Sequence, residues 1–196
     1  MSALALLKTV LLGLAVCELV GCANLLFAKT PTGTFSGKLD IEWIAPNRFI
    51  YRPREGDPLV YVSAEGLRIQ PQLMYTDGGS IPRLFWSAPG YGPWDFGPAY
   101  VIHDWLFAQH HCKQGDWQAI DFDRSASILA EAIKTQMSMS GGDDATTVWV
   151  IYEGVRTPIA KRRWDEGKCE QPQTASTAPH APVAVPRGVR ITTIGF

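Results

Sequence analysis

The apolar pattern of this chain changes period near residue 75, and that change limits the folds open to it. Before this point, short β-prone runs alternate with turn signals rich in Pro, Gly, Asn and Asp, which is typical of antiparallel strands. These runs are residues 35–39, 48–51, 59–62, 67–69 and 73–75.

Beyond residue 97, apolar residues recur every three to four positions, which predicts helices. One helix begins at Pro98, a second near Asp123, and a third after the capping pair Asp143-Asp144. The third helix is expected to end near Pro158 or to continue, kinked, to Trp164. The sequence therefore predicts an α+β fold, with a small antiparallel sheet in the N-terminal half packed against about three helices in the C-terminal half.

The first residues have the pattern of an export signal. Lys8 precedes an apolar run over residues 10–16, which is too short to span a bilayer as a permanent helix. Residues 19–22, Leu-Val-Gly-Cys, resemble a bacterial lipobox. This resemblance implies cleavage before Cys22 and diacylation of its sulfur.

The expected product is a protein of the bacterial cell envelope that is held on a membrane by lipidated Cys22. Ala23 does not signal retention in the inner membrane, which favours the outer membrane, facing the periplasm. More than one acyl chain gives stable anchoring without a spanning helix. The alternative is an ordinary secretory signal in which Cys22 is only a small apolar residue. Glu18, which is unusual so close to a cleavage site, favours this alternative.

The chain divides into four segments. Residues 1–21 are the predicted signal peptide, residues 22–33 a tether, residues 34–168 a single α+β domain, and residues 169–196 a disordered tail rich in Pro, Ala and Thr. Within the tail, residues 189–194 are β-prone and are expected either to add an edge strand or to bind a partner. A net charge of −1 gives no basic surface that would indicate a nucleic-acid partner.

Two cysteines remain when the signal peptide and the lipidation site are set aside. Cys112 and Cys169 form an even pair in a compartment that favours oxidation. They are expected either to form a disulfide or to remain as two thiols, because the sequence does not give their separation.

Most of the candidate chemistry lies between residues 75 and 123. Adjacent residues on a helix, such as His103 and Asp104, point about 100° apart. If Asp123 on the next helix binds one ring nitrogen of His103, the other nitrogen can act as a general base. Acidic segments, the His-Asp pair and a glycine loop lie close together in this stretch, which is the density expected of a functional site.

Asp104 is the candidate cation ligand of this site. Together with backbone carbonyl groups from residues 91–97, it would supply the oxygen ligands that calcium prefers. The cation would stabilise an oxyanion while His103 activates water. Zinc is the less favoured cation. His110-His111-Cys112 has suitable residue types, but adjacent histidines diverge and no second ligand cluster follows at a suitable spacing.

Two families share parts of this pattern. A glycine-containing loop, then His-Asp-x-x-aromatic at residues 103–107, then Asp123, is similar to secreted phospholipase A2, although the cysteines that flank the motif there are absent. A closer resemblance lies in Thr-Asp-x-x-Ser-Ile-Pro-Arg at residues 76–83, His-Asp-x-Leu-Phe at residues 103–107 and Asp-Arg at residues 123–124. This succession resembles the bacterial and phage domain of unknown function 1353 (DUF1353). The resemblance implies a shared fold but no established activity, and it implies one shared site made of Asp77, Ser80, Arg83, His103, Asp104 and Asp123.

Two classes of function stay open. The first is a hydrolase of an ester or amide in the cell envelope, in which His103 is the base, Asp123 orients it, and Asp77, Ser80 and Arg83 bind substrate or shape the site. The second is a non-catalytic lipoprotein, or a module that binds an envelope or phage component. Its His, Asp and Arg side chains would form a structural network, with Asp77 shaping a turn and His103 in the core.

Overall fold

The computed structural model of the protein describes residues 20–45, 48–79, 92, 94–170, 172 and 189–196. Within these ranges the protein has an α+β fold, so the predicted fold class is confirmed. The strands are β1 (Thr34–Ser36), β2 (Lys38–Ala45), β3 (Arg48–Tyr51), β4 (Val60–Val62), β5 (Arg68–Ile69), β6 (Met74–Thr76) and β7 (Val189–Gly195). The helices are α1 (residues 20–29), α2 (Gly97–Cys112), α3 (Phe122–Met139), α4 (Ala145–Val155) and α5 (Pro158–Glu166), with a 3₁₀ turn at Trp117–Ala119.

The strands pair into two sheets rather than into the one sheet that the sequence predicts. β4 lies between β1 and β5 in a three-stranded sheet, and the order of the four-stranded sheet is β6-β3-β2-β7. Every pairing between these strands is antiparallel. β1 and β2 follow each other in the chain but belong to different sheets, because the chain turns at Gly37 with a φ of +81°.

A cluster of buried apolar residues joins both sheets to α2, α3 and α4. Leu39 on β2, Ile102 on α2 and Ile128 on α3 are among its fully buried members. Burial of such side chains contributes about 1.5–3 kcal/mol each, so this cluster is the main source of stability.

Side-chain caps explain where the C-terminal helices begin. Asp121 caps α3 by accepting a hydrogen bond from the backbone N–H of Arg124 at 2.7 Å, and Asp144 caps α4. Thr157 caps α5, whose first residue is Pro158. Of the two ends predicted for the third helix, the one near Pro158 is observed, because α4 ends at Val155 and α5 is a separate helix.

The segment at residues 22–33 is not the tether that the sequence predicts, because most of it belongs to α1. Ala23 is buried against the body of the protein. At the other end of α1, Nζ of Lys134 on α3 donates hydrogen bonds to the carbonyl oxygens of Phe27 and Thr30, each at 2.6 Å. None of the helices in the described part of the chain is long and apolar enough to cross a membrane.

The last residues of the chain belong to the fold, so the prediction of a disordered tail over residues 169–196 is wrong for its end. β7 pairs with β2, and the hydroxyl of Thr193 donates to Oδ1 of buried Asp40 at 2.7 Å. The ring of Phe196 stacks on that of Phe35, with centroids 5.0 Å apart. Of the two roles predicted for this β-prone segment, strand addition is the one observed.

Candidate functional site

The candidate site forms where the end of β6 meets the middle of α2. Thr76 is the last residue of β6, and the chain then turns through Asp77, Gly78 and Gly79. The two glycines have φ values of +81° and +122°, which residues with a side chain rarely adopt. A Cβ on Gly79 would also lie only 2.9 Å from the ring of Tyr100 on α2. The glycine pair therefore allows the turn to lie directly against the helix.

This turn holds the carboxyl group of Asp104 through hydrogen bonds. The hydroxyl of Thr76 donates to Oδ2 of Asp104 at 2.6 Å, and the backbone N–H of Gly78 donates to the Thr76 hydroxyl oxygen at 3.1 Å. The backbone N–H of Asp77 also donates to the Asp104 carboxyl group. The side chain of Asp77 is exposed and accepts a hydrogen bond from the N–H of Gly79 at 3.3 Å. One half-buried and one exposed carboxyl group thus meet at the same turn.

The two carboxyl groups influence each other electrostatically. Burial raises the pKa of Asp104, and the negative charge of Asp77 raises it further, to about 8. The hydrogen bonds from Thr76 and from the Asp77 backbone, and the positive charge of Arg163, act in the opposite direction. Asp104 therefore keeps its proton at neutral pH beside the exposed carboxylate of Asp77.

His103 precedes Asp104 in the chain, but its side chain is buried. Only 6% of the residue is exposed, and its ring packs against that of Phe107 with centroids 4.9 Å apart. Its Nε2 atom has no hydrogen-bond partner among the described residues. Burial lowers the pKa of His103 to about 4, so the ring is neutral at physiological pH. This is the environment of a core histidine and not that of a solvent-accessible base.

The sequence predicts that Asp123 binds His103, but the structure pairs Asp123 with another residue. Asp123 lies in the first turn of α3 with 73% of its side chain exposed, and its Oδ1 atom is 3.3 Å from Nε of Arg156. The reason is distance along the helix. His103 lies nine residues before α2 ends at Cys112, which at 1.5 Å per residue is about 13 Å from the end of α2 where the chain leaves for α3.

The remaining predicted site residues are only partly observable. Ser80 and Arg83 lie outside the described residues, as do residues 91 and 93 of the predicted calcium loop. In the part of the chain that the structure describes, no group of three or more His, Cys, Asp or Glu side chains converges to hold a metal ion. Calcium binding by Asp104, and the roles of Ser80 and Arg83, stay predictions.

The turn, His103 and Asp104 all lie within a region that matches a known family. A family model described as "Protein of unknown function (DUF1353)" matches residues 56–155. The chain belongs to the DUF1353 family. Comparisons with curated proteins and with solved structures returned no match. The family predicted from the Thr-Asp and His-Asp motifs is thus confirmed. The weaker similarity to phospholipase A2 loses the Asp123–His103 contact on which it depends.

Beyond the region matched by the DUF1353 model, α5 packs on the C-terminal half of α2. The ring of Trp164 stacks on that of His110 with centroids 4.1 Å apart and meets Phe107 edge-on at 4.8 Å. Nε2 of His111 lies 2.9 Å from the carbonyl oxygen of Arg163, within hydrogen-bonding distance. These contacts place the charge of Arg163 near enough to Asp104 to act on its pKa.

A disulfide fixes the chain just after α5. Cys112, the last residue of α2, is bonded to Cys169, and their Cα atoms are 4.6 Å apart. Of the two states that the sequence leaves open for these cysteines, the bridged state is present. Bridged Cys112 therefore has no thiolate to offer a metal ion, and zinc binding at residues 110–112 stays a prediction for the two histidines alone.

Two groups that act on Asp104 are absent from the sequence-based prediction of the site. One is Thr76 of the Thr-Asp motif, for which a hydroxyl residue just before an Asp-Gly-Gly turn is a usable signal. Arg163 gave no such signal, because its position depends on the packing of α5 against α2.

Proposed function

We propose that this DUF1353 protein is a lipid-anchored envelope hydrolase in which Asp77 and Asp104 form the acid–base pair. The observation that carries the proposal is the turn they share, where Thr76 holds the half-buried carboxyl group of Asp104 beside the exposed carboxylate of Asp77. Carboxyl pairs whose environments separate their protonation states are typical of acid–base catalysis. Esters and amides are the proposed substrates, because water attack on either carbonyl carbon needs one base and one acid.

The two carboxyl groups divide the proton transfers of this hydrolysis. Ionised Asp77 removes a proton from water as the water oxygen attacks the substrate carbonyl carbon. Protonated Asp104 donates its proton to the carbonyl oxygen and so limits the negative charge that develops there. When the tetrahedral intermediate collapses, Asp77 protonates the leaving oxygen or nitrogen. Asp104 recovers its proton from one of the two hydroxyl groups on the intermediate's carbon atom, which becomes the carbonyl group of the product acid. Both carboxyl groups then return to their starting states.

His103 and Asp123 have different roles in this proposal from those predicted from sequence. The ring of His103 is buried and neutral, so it supports α2 from the core instead of activating water. Asp123 is exposed and paired with Arg156. In this proposal the proton transfers are therefore carried out by the carboxyl groups of Asp77 and Asp104.

Three observations support the proposed membrane anchor and its compartment. Residues 19–22 have the lipobox pattern, and Cys22 is exposed on α1. The disulfide between Cys112 and Cys169 agrees with an oxidising compartment outside the cytoplasm. We therefore propose that the protein faces the periplasm from the outer membrane.

The test compares the wild type with Asp77→Asn, Asp104→Asn and the control Asp116→Asn, whose side chain is exposed on the loop after α2. Nitrophenyl acyl esters and anilide amides serve as substrates. Each of the first two substitutions should lower kcat/KM by about 10²–10⁴-fold, and the control should be unchanged. Since the acid must be protonated, kcat/KM of the wild type should also fall as pH rises through about 8.

Full activity in Asp104→Asn would contradict the proposed mechanism. The alternative function is a non-catalytic lipoprotein in which the Thr76–Asp104 hydrogen bond only joins β6 to α2. That alternative predicts no turnover of either substrate class by the wild type. Thr76→Val would then lower only the free energy of unfolding, by about 1–3 kcal/mol, because an acceptor loses its partner.

A further inference from the structure

One face of α1 is exposed beside the proposed lipidation site. Cys22, Leu25 and Lys29 are spaced three and four residues apart, so they lie along the same side of the helix. All three residues are exposed, and 56% of Leu25 is accessible to solvent. We call these three residues the outer face of α1.

The opposite side of α1 is fixed to the body of the protein. Only 3% of Ala23 is exposed, and Leu26 and Phe27 pack against the core cluster. Nζ of Lys134 donates hydrogen bonds to the carbonyl oxygens of Phe27 in the helix and of Thr30 just after it, and lies 4.5 Å from the centroid of the Phe27 ring. Since Ala23 follows Cys22 directly, no free segment separates the lipid attachment atom from the folded domain.

We propose that the outer face of α1 lies on the phospholipid surface and holds the domain in one orientation against the membrane. The inference rests on the anchor in the proposed function, because acyl chains on the Cys22 sulfur must enter the bilayer. A fixed α1 then brings the surface around Cys22 to the same interface. The residues there have the chemistry of an interfacial helix, with apolar Leu25 for the acyl boundary and basic Lys29 for anionic headgroups.

The experiment labels position 25 in the lipidated full-length protein. The substitution Leu25→Cys adds the one thiol available for a nitroxide label, because Cys17 is removed with the signal, Cys22 carries lipid, and Cys112 is bonded to Cys169. The protein is reconstituted in vesicles of phosphatidylethanolamine and phosphatidylglycerol. Collision of the label with oxygen and with a water-soluble nickel complex is then measured by power saturation, and mass spectrometry reports acylation.

The label should collide more with oxygen than with nickel in the acylated protein. The matched control begins at residue 20 and carries Cys22→Ser as well as Leu25→Cys, so it has neither Cys17 nor a sulfur atom for acylation, and its label is at position 25 alone. In this control the preference should reverse, because the outer face of α1 then stays in water. Serine at position 22 does not react with the label, so this position needs no blocking step in the control.

Two results would overturn the inference, and they differ in what they say about the anchor. If Cys22 is acylated but the label collides with nickel as freely as in the control, the anchor stands and the fixed orientation is wrong. If mass spectrometry finds no acyl chains on Cys22, the anchor in the proposed function fails and the inference fails with it.

Discussion

His103 and Asp104 are neighbours on α2, and burial disfavours the charged form of both side chains. A buried histidine resists gaining a proton, and a buried carboxyl group resists losing one. Burial lowers the pKa of His103 to about 4, and burial together with Asp77 raises that of Asp104 to about 8. Between these values both side chains are neutral, so the middle of α2 adds no charge of its own to the core.

The substitution His103→Asn should remove part of the acid sensitivity of the fold. The pKa of His103 is about 4 when folded and near 6.5 when unfolded, so the unfolded chain binds more protons as pH falls through this interval. Through this group alone, the free energy of unfolding should fall by about 2–3 kcal/mol between pH 7 and pH 4. Urea unfolding at both pH values should show a smaller decrease in the variant. Equal pH dependence of the two proteins would contradict burial of His103 as a neutral ring.

At the scale of elements, α5 owes its position to contacts with α2. Trp164 packs between Phe107 and His110, and the ring of His111 meets the carbonyl group of Arg163. A helix of nine residues is too short to be stable alone, so these contacts decide whether it forms. The Cys112–Cys169 disulfide fixes the chain at the end of this arrangement.

Replacing both bridged cysteines by serine should therefore destabilise the domain. The disulfide closes a loop with a sequence separation of 57, and loss of such a bridge costs about 2–4 kcal/mol. Thermal unfolding should show a lower Tm for the double variant, with faster amide hydrogen exchange in α5. Asp116→Asn is the control, because that residue is exposed and outside the bridge. An unchanged Tm in the double variant would show that packing alone holds α5.

At the scale of the whole molecule, the C-terminal strand completes a sheet that begins near residue 38. Asp40 on β2 is only 4% exposed, and it is bound by Arg54 as well as by Thr193 of β7. These interactions lower the pKa of Asp40, the hydrogen bonds from Arg54 most strongly. β7 thus covers one edge of β2 and helps to satisfy a buried carboxylate.

Removal of residues 189–196 should expose that edge and cost more than about 3 kcal/mol of unfolding free energy, because several backbone hydrogen bonds worth about 1 kcal/mol each are lost together. Urea unfolding measures the loss, and size-exclusion chromatography should detect association through the open edge. Thr193→Val is the milder comparison and should cost about 1–2 kcal/mol, since Arg54 still pairs with Asp40. A truncated chain as stable as the wild type would show that β7 is dispensable.

The parts of the fold that were predictable from sequence depend on local chemistry. The beginnings of α3 and α4 follow from their caps, Asp121 and Asp144, and the short strands follow from apolar runs between turns. The division into two sheets was not predictable, because it depends on pairing between distant segments. α1 was missed because its stability comes from Lys134 and from burial of Ala23, which a local pattern does not reveal.

The candidate site was predictable to the same limited extent. Of the residues in the motifs, Asp77 and Asp104 are brought together by the turn and α2. The pairing of His103 with Asp123 failed, because spacing along the chain does not fix which levels of two helices face each other. The protonation states of His103 and Asp104 were also not predictable, since they depend on how deeply each side chain is buried.

The pairing of β7 with β2 also has a consequence for the order in which the fold can form. β2 cannot acquire its second neighbour until residues 189–195 have been synthesised, and the hydrogen bond from Thr193 to Asp40 joins positions 153 residues apart. Domains usually begin to fold from the N-terminal side as they emerge from the ribosome. Here the helices are synthesised before β7, so the pairing of β7 with β2 is the last step that completes the four-stranded sheet.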